Sequence, residues 1–452
     1  MILLNYERRN VVQVQLLFAG SLEKLEERND KGAKIIMEKY QVAVVKHREG
    51  CQVKDTVARA VELIGGIEKF VKPGQTVMLK PNYTGLLSPD TGAVTSLLAL
   101  EGITLFLQEH GITDITIADG CGTVHIGTQK IMDEVGVTAL AEKLGVKTLD
   151  LNTTPMVEVK HEGYREIESV KVSKAVLDAD LVINVPVIKT HAMCGATAAM
   201  KNMKGCIAPA EKRRFHKIHL HQAIADLQLA LPPYLTITDG LIAQEGLGPA
   251  EGTPVPLNII MASENPVAMD GVILEIMQMS PDDVKHIKLA AEMGLGSIDL
   301  KDIDILGDGI DGIKRKFRPA TTDIKEFDGV EIYECNACSG CIAALMITLG
   351  RLNAIGDLPH FKDIQVCVGT GKPANLKEYK NFFYIGKCAK AIYEKEHAKY
   401  PDQVHYIAGC APAALEIEER IREVYNFDRS DPMFFTAGAQ AVDGMRSKKE
   451  DQ

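Results

Sequence analysis

The chain has 452 residues, a formal net charge of −10, no tryptophan, and only 5% aromatic residues. This length suggests two or three domains of a globular protein. The scarcity of aromatic side chains argues against stacking platforms for nucleic acid, and the negative charge argues against nonspecific binding to DNA or to an acidic membrane surface. No apolar run approaches the ~20 residues that span a bilayer. Neither a nucleic acid nor a membrane is therefore expected as a partner.

Ten cysteines occur in a chain whose first residues do not resemble a secretory leader, because Glu7, Arg8 and Arg9 precede an interrupted apolar run. This pattern predicts a cytoplasmic protein in a reducing compartment, where cysteines bind metals or take part in catalysis. Residues 1–36 change from apolar to charged before the first strand pattern, which begins at Tyr40. The sequence predicts that 1–36 are either a disordered extension or the product of a mis-assigned start codon, and that the folded part begins near Met37.

Strand and helix patterns then alternate along most of the chain. Strands are predicted to end at Lys80-Pro81-Asn82, at Asp119-Gly120 and, as one long buried strand over 181–188, just before Lys189-Thr190-His191. A single helix is predicted over 128–144, and a strand over 234–238 that ends at Asp239-Gly240. This alternation predicts an α/β fold with a mostly parallel sheet, in which ligands bind beyond the carboxyl ends of the strands.

A second set of strands and helices follows a cysteine-rich loop near residue 335. We predict an α/β domain over 37–325, a smaller α/β cluster-binding domain over 326–425 and a polar tail over 426–452.

The segment from Lys189 to His221 is basic, and Glu211 is its only acid. A cationic segment beside strand ends in an acidic protein predicts a pocket for a small anion such as a carboxylate or a phosphate. A solvated basic loop is the alternative interpretation. The residues predicted to bind the substrate are Lys80, Asn82, Lys201, Lys204 and His216.

Four residues are candidates for catalysis. Lys189 and His191 follow a buried strand and could exchange a proton with a bound substrate, while Asp239 and Glu245 are candidate general bases. Alternatively, Lys189 is a surface residue and His191 a loop histidine with its hydrogen bonds satisfied. Asp270, near the start of a predicted helix, is a further acid that could act as a base or favour the helix N-terminus.

Other patterns carry weaker signals. His216, His219 and His221 could bind a second metal ion, but no acidic residue stands beside them. Gly120-x-Gly122 after a strand suggests phosphate binding but lacks the full dinucleotide fingerprint. Cys121 and Cys194 lie near the candidate site residues, whereas Cys367 lies within a strand and is predicted to be core.

Cys335, Cys338 and Cys341 stand at C-x2-C-x2-C spacing in the loop Glu334–Cys341. One short loop of this kind can place three thiolates on three irons of a [4Fe-4S] cluster. A zinc site more often has two separated C-x2-C pairs, and a disulfide framework does not suit a long chain without a leader. The sequence therefore predicts a [4Fe-4S] cluster.

The fourth ligand stays open between Cys410 and Cys388. Each follows a glycine at a strand-to-helix connection, where the helix dipole stabilises a thiolate. We favour Cys410, because Pro412 follows it much as a proline follows the last cysteine of ferredoxin-like loops. A third alternative leaves one iron without a protein ligand, free to bind a substrate or a sulfide.

The ordered motifs of residues 40–300 resemble the DUF362 family of uncharacterised iron–sulfur proteins. The residues that carry the resemblance are Lys80-Pro81-Asn82, Asp119-Gly120, Asn184-x-Pro186 through His191, Lys201 through Gly205, His216, Asp239-Gly240, Glu245 through Pro249, and Ala268 through Gly271. The N-terminal layout is also similar to the lactate racemase fold, without a recognisable nickel-pincer motif. The resemblance implies a C-terminal cluster-binding module, usually a two-cluster ferredoxin. Here a single three-cysteine motif in an α/β module predicts one cluster.

These observations predict a cytoplasmic [4Fe-4S] enzyme, an oxidoreductase or a lyase, that acts on a small anionic metabolite. A ferredoxin-like or flavin protein would be its electron donor. The alternative functions are electron transfer to another enzyme and sulfur transfer through an open iron. The sequence is compatible with a homodimer, and it identifies neither the substrate nor the direction of electron flow.

Overall fold

The structure is a computed structural model, and it describes residues 39–122, 127–320, 327, 329–361, 363–371 and 381–427. The extension predicted over residues 1–36 lies outside the described residues, as does the tail beyond Phe427. From Gln41 onwards, the described residues belong to one compact unit, Gln41–Gln452. The described residues include no helix that is long and apolar enough to cross a membrane.

The first part of the chain forms twelve strands and ten helices within the described residues. The strands are β1 (Tyr40–Lys46), β2 (Val77–Lys80), β3 (Ile115–Asp119), β4 (Lys147–Asp150), β5 (Met156–Val159), β6 (Val170–Ser173), β7 (Leu181–Asn184), β8 (Val187–His191), β9 (Gly195–Thr197), β10 (Tyr234–Glu245), β11 (Thr253–Ser263) and β12 (Ile303–Gly307). The helices are α1 (Val53–Leu63), α2 (Leu97–Glu109), α3 (Thr128–Val135), α4 (Val137–Leu144), α5 (Lys174–Asp178), α6 (Ala199–Asn202), α7 (Pro209–Phe215), α8 (Leu220–Leu227), α9 (Pro266–Met277) and α10 (Lys285–Glu292).

Ten of these strands form one sheet. Eight of them have the order β12-β1-β11-β10-β7-β2-β3-β4, while β8 pairs with β10 and β9 pairs with β8. Strands β10, β7, β2, β3 and β4 run parallel, whereas β11 is antiparallel to both β1 and β10. Strands β5 and β6 form a separate pair. The prediction of an α/β fold with a mostly parallel sheet is confirmed. The buried strand residues explain it, because strands covered on both faces are apolar along their whole length.

Three predicted elements differ from the structure. The helix over 128–144 breaks at Gly136, whose φ of 95° interrupts the helical backbone between α3 and α4. The strand over 181–188 divides at Val185-Pro186, because proline cannot donate a hydrogen bond to a neighbouring strand. Strand β10 does not end at Thr238 but continues to Glu245, paired with β11 through a register shift between Gly240 and Ile242.

The C-terminal part forms a second sheet with its own core. Its strands are β13 (Val330–Cys335), β14 (Ile364–Gly369), β15 (Asn381–Ile385) and β16 (Val404–Ile407), and its helices are α11 (Ser339–Ala354), α12 (Lys390–His397) and α13 (Ala414–Val424). All four strands are parallel, in chain order. The core includes Leu345, Leu349 and Phe383, each wholly buried. Parallel order brings the carboxyl ends of all four strands to one edge, which is where this architecture places functional residues.

Candidate functional site

A buried ion pair lies at the carboxyl ends of β2 and β3. The Lys80 ammonium is 2.6 Å from Asp119 Oδ1, and both side chains are almost fully buried. Asp119 Oδ2 also accepts a hydrogen bond of 2.8 Å from the Tyr83 backbone N–H. A Cβ at Gly205 would lie 2.5 Å from Asp119 Oδ1 and 2.6 Å from the Lys80 amine, so only glycine fits there. The last residue of the motif Lys201 through Gly205 thus packs against this ion pair.

Asn202 joins the predicted site residues into one network. Its Oδ1 accepts hydrogen bonds from Lys80 Nζ at 3.1 Å and from Asn82 Nδ2 at 2.7 Å. Its own amide donates to Asn184 Oδ1 at 2.8 Å. Lys189 Nζ donates to Asn82 Oδ1 at 2.8 Å. Lys80, Asn82 and Lys189 therefore meet as the sequence predicts, and Asn184 and Asn202, which belong to the recognised motifs, are residues that the site prediction missed.

Lys201 and Lys204 differ from these internal lysines because their amines have few partners. Lys201 Nζ has a 3.3 Å hydrogen bond to Thr197 Oγ1, and Lys204 Nζ is 3.2 Å from His216 Nε2. Neither amine forms a salt bridge with a carboxylate of the described residues. Burial, and then the charge of Lys201, lower the pKa of Lys204 to about 7. We call Lys201, Lys204, His191 and His216 the cationic site.

His191 is the second histidine of the cationic site and is almost fully buried. Its Nδ1 accepts a 3.0 Å hydrogen bond from the Met193 backbone N–H. Burial, and then the positive charges of Lys201 and Lys189, hold the pKa of His191 well below its usual range. His191 is therefore a neutral imidazole with its Nε2 left to contact a ligand, not a surface loop histidine. Lys189 is likewise buried, not on the surface.

The rest of the basic run divides between internal and external roles. Lys212 is buried and donates to Gly120 O, Asn152 Oδ1 and Cys121 O. A Cβ at Gly120 would lie 2.4 Å from Gly205 O, so this glycine serves close packing. Arg214 pairs with Glu211 at 2.5 Å, while Arg213 and Lys217 are exposed. Only part of the basic segment thus belongs to the cationic site.

The predicted general bases, and Asp270, are held by hydrogen bonds to other groups of the protein. Asp239 lies within β10 and accepts from the backbone N–H of Ser96 and of Leu241. Glu245 binds Arg318, with Nε to Oε1 at 3.0 Å. Asp270 accepts from the N–H of Ala199 at 2.6 Å and of Met200 at 3.1 Å, which anchors the first turn of α6. These contacts give all three carboxylates a structural role, and the catalytic role predicted for Asp239 and Glu245 stays a prediction.

A buried and a half-buried histidine near Lys201 form a pair that the sequence did not predict. The rings of His221 and His286 stack with centroids 5.7 Å apart. His286 is wholly buried, and neither of its ring nitrogens has a hydrogen-bond partner among the described residues. Burial lowers the pKa of His286 well below 6.5 and that of His221 to about 4. His219 uses Nδ1 to accept from Gln222 N. No three His, Cys, Asp or Glu side chains of the described residues are placed to hold one metal ion, so the second metal site gains no support.

We predict that His286→Leu changes the dependence of stability on pH. A histidine with a depressed folded-state pKa contributes stability above the unfolded value of 6.5, which is lost as the pH falls. At pH 5 this loss amounts to ~2 kcal/mol for one residue. The leucine variant should lack this loss. At pH 8 its free energy of unfolding should equal that of the parent or be higher by ~1 kcal/mol, because an unpaired buried polar group is removed. Urea unfolding at pH 5 and pH 8 measures both effects. The prediction is contradicted if the free energy of unfolding falls between pH 8 and pH 5 by the same amount in the variant and the parent.

The candidate cluster ligands lie at one edge of the second sheet. Cys335 ends β13, Cys338 and Cys341 begin α11, and Cys388 and Cys410 follow β15 and β16. A Cβ at Gly386 would lie 2.9 Å from Cys341 Sγ and 3.6 Å from Cys388 Sγ, so the two sulfurs flank this glycine. Cys388 and Cys410 are both near enough to interact electrostatically with the Cys341 thiol. Five thiols from separate turns are thus assembled at one edge, one more than a cubane cluster needs.

The thiols of the loop interact even without a metal. The Cys341 thiol and the backbone N–H groups of Cys341 and Gly340 donate to Cys338 Sγ, which lowers the pKa of Cys338 to about 5. Such N–H groups at a helix N-terminus stabilise thiolates. Cys367 is wholly buried in the core, as predicted, and its thiol donates to Gly371 O at 3.4 Å. Thiolates are the usual ligands of a [4Fe-4S] cluster and bind separate irons, so these cysteines are its candidate ligands and the cluster stays a prediction.

The cysteine loop, Glu334–Cys341, contacts the cationic site directly. His216 Nδ1 is 3.0 Å from Ser339 Oγ, and this hydroxyl donates to the His216 carbonyl at 3.1 Å. The Ser339 N–H donates to the same carbonyl at 3.3 Å. Ser339 lies between Cys338 and Cys341. One residue of the basic segment is therefore hydrogen-bonded both to a lysine of the cationic site and to the cysteine loop.

Arg351 of α11 also connects the C-terminal part of the chain to Glu251, which lies just before β11. Its guanidinium binds Glu251 at 2.7 Å and Glu418 at 3.0 Å, and only 9% of the Arg351 side chain is exposed. We predict that Arg351→Met lowers the free energy of unfolding by about 3 kcal/mol, because the partly buried Glu251 loses its ion-pair partner and the buried Glu418 keeps only Arg422. The matched control is Arg420→Met, whose ion pair with Glu423 is exposed and should change stability by less than ~1 kcal/mol. Denaturant unfolding of both variants measures the difference, and equal losses would contradict the prediction.

Comparisons with known proteins bear on the first part of the chain. The family model described as "Domain of unknown function (DUF362)" matches residues 77–275. A curated relative, a thylakoid-associated protein of Synechocystis sp., is 28% identical over 245 residues, which cover 52% of this chain and 73% of the relative. The resemblance found in the motifs is thereby confirmed over this range.

Two solved structures are similar to this chain at low identity. The lactate racemase apoprotein of Thermoanaerobacterium thermosaccharolyticum is 15% identical with a TM-score of 0.34, and the match covers 54% of this chain and 58% of the racemase. A protein from Thermotoga maritima is 11% identical with a TM-score of 0.37, and the match covers 84% of this chain and 92% of that one.

Proposed function

We propose that the protein, whose residues 77–275 match the DUF362 family model, is a cytoplasmic [4Fe-4S] enzyme that binds a small anionic metabolite beside its cluster. Cys335, Cys338 and Cys341 would hold three irons, with Cys410, or alternatively Cys388, on the fourth. The observation that carries the proposal is the contact of His216 with both Lys204 and Ser339, because it joins the cationic site to the cysteine loop.

The charges of the cationic site support an anion as the ligand. Lys201 and Lys204 lack carboxylate partners among the described residues, while Asp119 is occupied by Lys80. Two ammonium groups in a partly buried site repel one another, and a bound carboxylate or phosphate removes that repulsion and gains charge-assisted hydrogen bonds. A solvated basic loop would instead leave both amines exposed. The neutral His191 and His216 would orient the ligand and accept or return a proton.

A bound [4Fe-4S] cluster supplies electron transfer or, at an iron without a protein thiolate, Lewis acidity. The chain's own contribution is to hold the anion and to place His216 between it and the loop. Cys341 is buried and His191 nearly so, which limits the water that reaches this region. The substrate would be a small metabolite with a carboxylate or phosphate group, and a ferredoxin-like or flavin protein would donate electrons.

The second candidate is an electron-transfer or sulfur-transfer protein that serves another enzyme. The exposure of Cys388 and Cys410 favours it, because ligands at the surface bring a cluster within reach of a partner. Electron transfer alone, however, gives no use to two partly buried lysines that pair with no carboxylate of the described residues. We therefore rank the enzyme first.

The proposal is tested on protein purified without oxygen. Iron and sulfide are counted, and glycolate, a small carboxylate, is titrated by calorimetry against the cluster-containing protein. We expect one cluster per chain and saturable binding of glycolate. A protein that assembles the cluster but binds neither glycolate nor inorganic phosphate would support the electron-transfer alternative instead.

A further inference from the structure

Lys204 differs from the other lysines buried around it in what its amine contacts. Lys80 is paired with Asp119, Lys189 donates to Asn82 and Ala93 O, and Lys212 donates to three oxygens. Within the described part of the chain, the single hydrogen-bond partner of the Lys204 amine is the imidazole nitrogen of His216. Part of the Lys204 residue is exposed to solvent.

The hydrogen bonds around His216 favour one arrangement of its ring proton. When the Ser339 hydroxyl donates its one hydrogen to the His216 carbonyl, towards the ring it can only accept. His216 Nδ1 must then carry the hydrogen and donate it to Ser339 Oγ. His216 Nε2 is consequently a bare acceptor that faces the Lys204 amine. An amine next to a neutral base is the arrangement that activates a lysine as a nucleophile.

The surroundings of Lys204 favour the neutral amine. Lys201 lies one helical turn before it, no carboxylate pairs with it among the described residues, and its pKa is lowered to about 7 by burial and then by Lys201. At pH 7 about half of this side chain would be neutral, against roughly one in three thousand for a lysine at the ordinary pKa of 10.5. A cationic neighbour is a known means of producing a nucleophilic lysine.

We infer that Lys204 forms an imine with the carbonyl carbon of a small 2-oxo carboxylate whose carboxylate group is bound by Lys201. This inference rests on the proposed function, because it assigns a substrate class to the same cationic site. The carbonyl and carboxylate of a 2-oxo acid are adjacent, which matches two amines three residues apart on one turn. Lys201 would hold the charge while Lys204 reacts.

The condensation needs no oxidant or reductant. The Lys204 nitrogen attacks the carbonyl carbon, the C=O π bond opens as the C–N bond forms, and one amine proton moves to the oxygen to give a carbinolamine. His216 Nε2 accepts a proton from the nitrogen and returns it to the carbinolamine hydroxyl, which leaves as water. Both hydrogens of the amine and the carbonyl oxygen thus depart as one water molecule, and hydrolysis reverses each step.

The test uses glyoxylate with cyanoborohydride on the cluster-containing protein, without oxygen at pH 7, followed by peptide mapping. Hydride addition converts an imine of glyoxylate into a carboxymethyl amine on the lysine that formed it. We expect labelling at Lys204 well before exposed lysines such as Lys72. Glycolate, which has a carboxylate but no aldehyde or ketone group, should suppress the labelling of Lys204. Lys204→Arg should remove this label while leaving that on Lys72. The mapping of the parent alone decides, so a folding defect in the variant does no harm.

The outcomes separate this inference from the proposed function. Labelling at exposed lysines but not at Lys204, in protein that still binds glycolate, would overturn the imine and leave the anion site standing. Protein that neither binds glycolate nor is labelled at Lys204 would overturn both. Labelling at Lys204 that glycolate does not suppress would place the reaction outside the anion site and would also overturn the inference as stated.

Discussion

Cys338→Ala should abolish assembly of the cluster, with iron and sulfide falling from about four of each per chain to background. Cys338 lies at the centre of the three-cysteine loop and has a thiolate-stabilising environment from Cys341 and Gly340. Cys410→Ala should give the same loss, whereas Cys388→Ala should retain most of the iron. Metal analysis and the visible absorption spectrum of protein purified without oxygen measure all three.

The pair Cys388 and Cys410 provides its own control, because both cysteines are exposed and follow neighbouring parallel strands. Loss of iron in Cys388→Ala alone would assign the fourth ligand to Cys388 and contradict our choice. Retention in both variants would indicate an iron without a protein thiolate, which favours substrate or sulfide chemistry at that iron. Retention in Cys338→Ala would contradict the cluster site itself.

Lys201→Met should weaken the binding of glycolate by roughly 10- to 100-fold, the effect of removing a charge-assisted hydrogen bond worth ~1.5–3 kcal/mol. Lys201 has a 3.3 Å contact with Thr197 and no salt bridge to a described carboxylate, so its charge is left for a ligand. Methionine preserves the length and the apolar part of the side chain. Calorimetric titration measures the affinity.

Lys72→Met is the matched control, because Lys72 is exposed and distant in sequence from the site. It should bind glycolate as the parent does, with the same iron content. Equal affinities for the Lys201 variant and the control would show that the cationic site does not bind this anion. A parallel fall in both would point to a nonspecific effect of net charge and would equally contradict the prediction.

Local sequence patterns predicted most of the fold because they report local physics. Apolar runs of four to six residues between helical segments identify buried parallel strands, and β2, β3, β7 and β14–β16 follow them. The prediction ended β10 at Asp239-Gly240, since this dipeptide is typical of a turn. Long-range pairing with β11 overrides that signal through a bulge, and Gly240 packs where a Cβ would lie 2.5 Å from Ile259.

The site could be predicted only in part for the same reason. Strand ends identified Lys80, Asn82 and Lys189, which the structure brings together. Asn202 belongs to a recognised motif, yet nothing local indicated that it joins the ends of β2 and β7. The contact of His216 with Ser339 connects residues 123 positions apart, and His286 approaches His221 from a different helix. Such contacts depend on tertiary packing, which a single sequence does not specify locally.

The central claim is that an anion in the cationic site lies close enough to the cluster to affect it. Electron paramagnetic resonance of the dithionite-reduced protein, recorded with and without saturating glycolate, tests this most directly. We predict a cluster signal whose shape changes with glycolate in the parent and not in Lys201→Met. A signal that stays identical while calorimetry shows glycolate bound, or the absence of any cluster signal, would contradict the account.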